Sequence, residues 1–211
     1  MSGSTSLPDL AGVIPFSATD WPGHLTVTAF TQGCPLACRY CHNPSLRPIV
    51  PGQPFDAVFE VLEQRRGLID GLVISGGEPT IHPGLGLAIA RVHEMGFPVG
   101  LHTSGYRPAA VEALLQKKDT TPDWVGLDIK GFPADCERLF GMSARAARGA
   151  WECLDFLTSC NVEVQVRTTV WPAFSEHLTQ LQEAVAEAGH KLVVQHARGV
   201  NSEGWFTNSV Q

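Results

Sequence analysis

Leu25-Thr-Val-Thr-Ala-Phe30 runs directly into Thr31-Gln-Gly-Cys34-Pro-Leu-Ala-Cys38-Arg-Tyr-Cys41-His-Asn-Pro44. The first part is apolar and β-branched, the composition of a buried strand. The second is a loop whose cysteines fall in a C-x3-C-x2-C spacing. The same transition from apolar run to unusual loop recurs along the chain. Gly71-Leu-Val-Ile74 leads into Ser75-Gly-Gly-Glu-Pro79, and Pro98-Val-Gly-Leu-His102 leads into Thr103-Ser-Gly105. The run from Trp124 to Ile129 ends in Asp128-Ile-Lys130. Val162 to Val170 and Leu192 to Gln195 are two further runs.

Helix-like stretches separate these runs. Phe55 to Arg66 places Phe55, Val58, Phe59 and Leu62 at helical spacing. Gly84 to Met95, Pro108 to Lys118, Ala144 to Ser159 and Ser175 to Ala188 read the same way. Pro108 suits a helix start, Ser175 an N-cap and Gly189 a C-cap. About six β–α alternations predict a parallel sheet with helical crossovers. A full barrel needs about eight such units. The expected fold is therefore α/β, a partial and open (β/α)6 TIM-like barrel. Chemistry in such folds collects at the C-terminal ends of the strands, where the four unusual sequences fall.

A chain of 211 residues is expected to form one domain over 1–211, with a leader at 1–21, a core at about 22–196 and a tail at 197–211. With 44% hydrophobic and 17% charged residues it reads as a soluble globular protein. The net charge of −6, without a block of like charge, speaks against a nucleic-acid partner. No apolar stretch is long enough to predict a membrane span. Met1 to Leu10 lacks the basic and apolar regions of a secretory signal. These features predict a cytoplasmic protein with reduced cysteines.

Three of the six cysteines lie within residues 34–41, which points to a metal or cluster rather than disulfides. Cys136, Cys153 and Cys160 are scattered and read as small buried hydrophobes. Three thiolates on one short loop can hold three irons of a cubane cluster. With no fourth cysteine nearby, one iron is left open for an exogenous ligand. The rival is zinc, with His42 as a fourth ligand. Adjacent residues such as Cys41 and His42 rarely converge on one ion, and zinc pairs are spaced differently.

The other strand ends supply candidate binding groups. Gly76 and Gly77 would let backbone approach a ligand, and Glu78 offers an acceptor for an ammonium group. Asp128 and Lys130 share one side of a strand at period two. Arg167 is either an anion clamp or an arginine bound to a core carboxylate.

The cysteine loop resembles that of the radical S-adenosylmethionine (SAM) superfamily, with Tyr40 as its aromatic residue. The resemblance implies a [4Fe–4S] cluster on Cys34, Cys38 and Cys41, with SAM bound through its amino and carboxylate groups to the open iron. Reductive cleavage of the C5′–S bond would then give a 5′-deoxyadenosyl radical. Gly76-Gly77-Glu78-Pro79 resembles the motif that binds the SAM amino group. Asp128-Ile-Lys130 is similar to a D-x-K of the glycyl-radical-activating branch, whose lysine lies near the SAM carboxylate. Thr103, Ser104 and Arg167 complete the expected cofactor pocket.

The resemblance extends further to activating proteins of anaerobic ribonucleoside-triphosphate reductase, over about residues 12 to 172. It is carried by Ile14-Pro-Phe-Ser17, Asp20-Trp-Pro-Gly23, Tyr40-Cys-His-Asn-Pro44 and Arg167-Thr-Thr-Val170. It implies an enzyme that abstracts a glycine Cα hydrogen from a glycyl radical enzyme partner. With no second cysteine cluster motif, electrons are expected from a flavodoxin or ferredoxin-type donor. The alternatives are activation of another glycyl radical enzyme, or action on a small nucleotide or deazapurine-like molecule.

One departure stands out. Relatives usually carry Asp where this chain has His102 in His102-Thr-Ser-Gly105. In some activators that Asp helps bind a monovalent cation. Either the cation site is lost, or a protonated His102 replaces the cation's charge, or His102 is structural. The tail carries no assigned role for His196 or Arg198.

Overall fold

The computed structural model describes residues 6–140, 143–160, 162–171 and 174–207. These build one seven-stranded sheet in the linear order β1 to β7. The strands are β1 (Leu10–Ser17), β2 (Thr26–Thr31), β3 (Gly71–Gly76), β4 (Val99–Thr103), β5 (Trp124–Asp128), β6 (Glu163–Val170) and β7 (Leu192–His196). Strands β2 to β7 are parallel, each to the next. Helices α1 (Asp56–Gln64), α2 (Leu85–Glu94), α3 (Pro108–Leu115) and α6 (Ser175–Glu187) make single crossovers. Between β5 and β6 the crossover uses two helices, α4 (Pro133–Phe140) and α5 (Ala144–Ser159). Because β1 and β7 are the edges of one linear order, the sheet is an open, partial barrel.

Strand alternation divides the buried residues into two groups. Leu72, Ile74, Val99, Leu101, Val125 and Leu127 join the apolar faces of the helices in the main core. Val73 and Trp124 point the other way and cluster with Trp21. The Trp21 and Trp124 rings stack with centroids 5.7 Å apart. A side chain at Gly100 would put its Cβ 2.9 Å from the Trp21 ring, so the bare backbone there makes room for it. The leader thereby plugs the inner face of the sheet.

Two elements depart from the sequence reading. Strand β1 lies inside the expected leader and pairs antiparallel with β2, with register shifts beside Gly12 and before Ser17. Gly12 and Pro15 interrupt its alternation, and Pro is tolerated there because β1 is an edge. At α6, Phe174 occupies the N-cap position in place of Ser175. Gly189 follows the C-cap with φ 84°, the conformation expected of a helix-ending glycine. Among the described residues no helix is long and apolar enough to cross a membrane.

Candidate cofactor site

The cysteine loop leaves β2 at Thr31 and is closed by backbone alone. Gly33 N donates to Leu46 O at 2.8 Å, and Cys34 N donates to Arg47 O at 3.0 Å. A short 3-10 turn at Pro44–Leu46 sets up this closure. The segment after β3 lies against the loop, with Gly77 N donating to Thr31 O and Glu78 N to Gly33 O, both at 2.9 Å. A Cβ at Gly76 would lie 2.3 Å from Thr31 N, and one at Gly77 would lie 2.0 Å from Gly33 O. The close approach these glycines permit is therefore to the cysteine loop itself.

Cys34, Cys38 and Cys41 share the wall of an open cavity of about 170 Å³. All other expected site residues also line it, except Pro79. Pro79 is buried and begins the 3-10 turn Pro79–Ile81 behind Glu78. Burial pushes the Cys34 thiol up to about 11, so a bound metal is needed to hold it as thiolate. Among the described residues, no three His, Cys, Asp or Glu side chains converge on one point as a single-ion site requires. Cys153 is buried against Gly105 O and pushed up to about 12 by desolvation.

Glu78 is 1% exposed, and both its oxygens are engaged. Oε1 accepts from Thr80 N at 3.2 Å and from the Thr80 and Thr103 hydroxyls, each at 2.7 Å. Oε2 accepts from Ser104 N at 2.9 Å and from the Ser104 hydroxyl. One carboxylate thus ties the strand end of β3 to that of β4. Its negative charge remains on the cavity wall, with its lone pairs already shared by hydroxyls that can also accept.

Arg167 and Asp128 form a second pair across β5 and β6. Arg167 Nε donates to Asp128 Oδ1 at 2.9 Å, and Nη2 donates to Gly126 O at 3.3 Å. Burial works to raise the Asp128 carboxyl, but the Arg167 and Lys130 charges outweigh it and hold it below the usual range. Burial likewise works against the charge on Lys130. Tyr40, Cys38 and Asp128 outweigh it and keep the ammonium well above its usual pKa. Lys130 sits 5.4 Å from the centroid of the buried Tyr40 ring.

His102 completes this network. Its Nδ1 is 3.1 Å from the Ser75 hydroxyl, and its Nε2 is 2.7 Å from Asp20 O and 3.1 Å from Arg167 Nη1. Burial first, then the Arg167 charge, holds its pKa down to about 4. The imidazole is therefore neutral at neutral pH, and the nearby positive charge is that of Arg167.

The sequence reading missed two parts of the site. The first is the tail. Arg39 stacks over Trp205 at 4.8 Å and donates to Glu203 O at 3.2 Å, while Phe206 N donates to Arg39 O at 3.0 Å. His42 Nε2 lies 3.1 Å from Arg198 N, so this imidazole faces the tail. The second is Arg47, which lines the cavity and donates through Nη2 to Cys38 O. The signals available were Arg39 and His42 inside the motif and the Trp205-Phe206 pair in an otherwise polar tail.

This geometry defines a class, and comparison with known proteins agrees. The chain belongs to the radical SAM superfamily, whose sequence profile matches residues 28–183. A Methanocaldococcus jannaschii protein, whose name places it among the glycyl-radical enzyme activating enzymes, is 35% identical over 123 residues. That match covers 57% of this chain and half (50%) of the relative's length. The pyruvate formate-lyase-activating enzyme of Clostridium pasteurianum is 28% identical over 196 residues, covering 86% of this chain and 79% of that one. The solved structure of Streptococcus suis SuiB bound to precursor peptide SuiA superposes with a TM-score of 0.66. At 15% identity, over 85% of this chain and 40% of that one, the likeness is of fold.

The superfamily's cofactors are a [4Fe–4S] cluster and SAM, and the residues present fit them. Three thiols face one cavity, and the other cysteines lie outside its wall. Lys130 supplies a charged ammonium for a carboxylate, and Arg47 Nε is buried without a hydrogen-bond partner.

Proposed function

We propose that this chain is an activating enzyme for a glycyl radical enzyme, with anaerobic ribonucleoside-triphosphate reductase as its partner. The observation that carries the reading is the set of three thiols, without a fourth, at the strand ends of an open sheet. Relatives named as activating enzymes, matched over much of the chain, support it. The leader and the Arg167-Thr-Thr-Val170 segment favour the ribonucleotide reductase as partner.

In this reading Cys34, Cys38 and Cys41 hold the cluster and leave one iron for SAM. Bound together, these cofactors supply one-electron reductive cleavage and the hydrogen abstraction that follows. Lys130 faces the SAM carboxylate, with the Asp128 carboxylate nearby to favour its charged form. Glu78 sets the Thr103 and Ser104 hydroxyls around the SAM amino group. Tyr40, Gly76 and Gly77 shape the wall, Pro79 backs Glu78 from behind it, and Arg167 fixes Asp128. An open mouth suits a backbone substrate presented on a loop. Electrons come from a flavodoxin or ferredoxin-type donor.

The test is spin resonance after anaerobic mixing with reductant, SAM and either partner. A glycyl radical on the ribonucleotide reductase, and none on pyruvate formate-lyase, is the expected result. A radical on pyruvate formate-lyase alone would move the assignment to that partner. No protein radical on either would overturn the activase reading.

A further inference from the structure

The cavity contains a cation for which the site as described so far has no use. Arg47 lies on the return limb of the cysteine loop, after the Pro44–Leu46 turn. Its backbone carbonyl accepts from Cys34 N, so the main chain at this position already closes the loop whatever side chain is present. The side chain turns back across the loop, where Nη2 donates to the carbonyl of Cys38. Nε is buried and has no hydrogen-bond partner. Among the described residues Arg47 makes no ion pair. The other charged residues of the wall already have partners: Asp128 with Arg167, Lys130 with the Tyr40 ring, and Glu78 with its hydroxyls.

A partly buried guanidinium on the cavity wall with no counter-charge is costly in isolation. It is satisfied by an anion that enters the cavity. The anion that belongs nearest the Cys38 carbonyl is the cluster held by the Cys34, Cys38 and Cys41 thiolates. Reduction adds a negative charge to that already anionic assembly. A fixed positive charge in a poorly solvated pocket therefore stabilises the reduced form more than the oxidised one. Hydrogen bonds to the sulfurs act in the same direction. The alternative anion, the SAM carboxylate, has Lys130 as its partner.

We propose that Arg47 is a tuning residue of the cluster, its positive charge on the shared cavity wall raising the cluster's reduction potential. The inference rests on the reading that the three cysteines hold a four-iron cluster. The wild-type chain tests that part separately: without about four irons after anaerobic reconstitution, the cofactor reading itself fails.

The experiment is a spin-resonance redox titration of the reconstituted full chain, comparing wild type with Arg47→Gln and Arg47→Lys. Iron content is measured on each sample. With iron retained, Arg47→Gln is expected to shift the reduction equilibrium about tenfold toward the oxidised cluster, which for one electron is about 59 mV. Arg47→Lys keeps the charge but not the fork, so it should recover part of the shift. Equal potentials in all three proteins at full iron loading would overturn the proposal. Loss of iron in both variants with unchanged circular dichroism would also overturn it, because Arg47 would then be a brace for the loop.

Discussion

At the scale of single residues, Cys34, Cys38 and Cys41 share one cavity wall, while Cys136, Cys153 and Cys160 lie outside it. Replacement of Cys34, Cys38 or Cys41 by Ala is expected to abolish iron loading and SAM cleavage. Cys136→Ala, Cys153→Ala and Cys160→Ala should leave both intact, as assayed by iron content and 5′-deoxyadenosine release. An essential residue among the last three would contradict the open-iron argument. Glu78 and His102 were visible only as types. Their partners come from separate segments, so the sequence could not reveal five donors on one carboxylate, or Arg167 beside an imidazole. The half-buried His102 also makes a pH prediction. The unfolded chain takes up a proton near 6.5, whereas the folded one resists until about 4. Stability tied to His102 is therefore complete above 6.5 and lost as pH falls toward 4. The loss over that range is roughly 3 kcal/mol, from about 1.4 kcal/mol per pKa unit. Urea midpoints at several pH values should show a flatter acid limb in His102→Gln than in the wild type. Parallel limbs would remove His102 as the source.

At the scale of elements, the six parallel strands were legible because each is a short apolar run, four of them followed by a loop of unusual chemistry. Strand β1 was not, since Gly12 and Pro15 spoil its period and its place depends on pairing with β2. Helix α4 was missed for a related reason, being short and rich in charged residues. The tail was unreadable by pattern, because its order comes from contact with the cysteine loop rather than from its own periodicity. Residues Val200 and Phe206 bridge to form a hairpin whose Gly204 sits at φ 84°, against the Trp171 ring. A Cβ there would lie 2.7 Å from Trp171, which in turn packs on Tyr40 with ring centroids 5.5 Å apart. Gly204→Val should therefore loosen the hairpin from Arg39 and His42 without touching a cluster ligand. Strain of about 1–3 kcal/mol corresponds to roughly tenfold faster iron loss to a chelator. Release at the wild-type rate would show that the hairpin does not hold the loop.

At the scale of the whole molecule, the open barrel brings together segments from five strand ends, and the leader fills the inner face behind them. Trp21, Val73 and Trp124 close that interior from one side, while the cavity stays accessible beside the cysteine loop. The open architecture follows from counting β–α units; the plug does not, because Trp21 meets Trp124 only after the sheet has formed. In the proposed function this open site takes its hydrogen from the backbone of a partner protein. The most direct measurement uses anaerobic ribonucleoside-triphosphate reductase carrying deuterium at its glycine Cα, mixed with the reconstituted chain, SAM and a reductant. Deuterium is expected in the 5′-deoxyadenosine recovered, together with a glycyl radical on the partner. Unlabelled 5′-deoxyadenosine without a protein radical, or label arriving instead from a small metabolite, would contradict it.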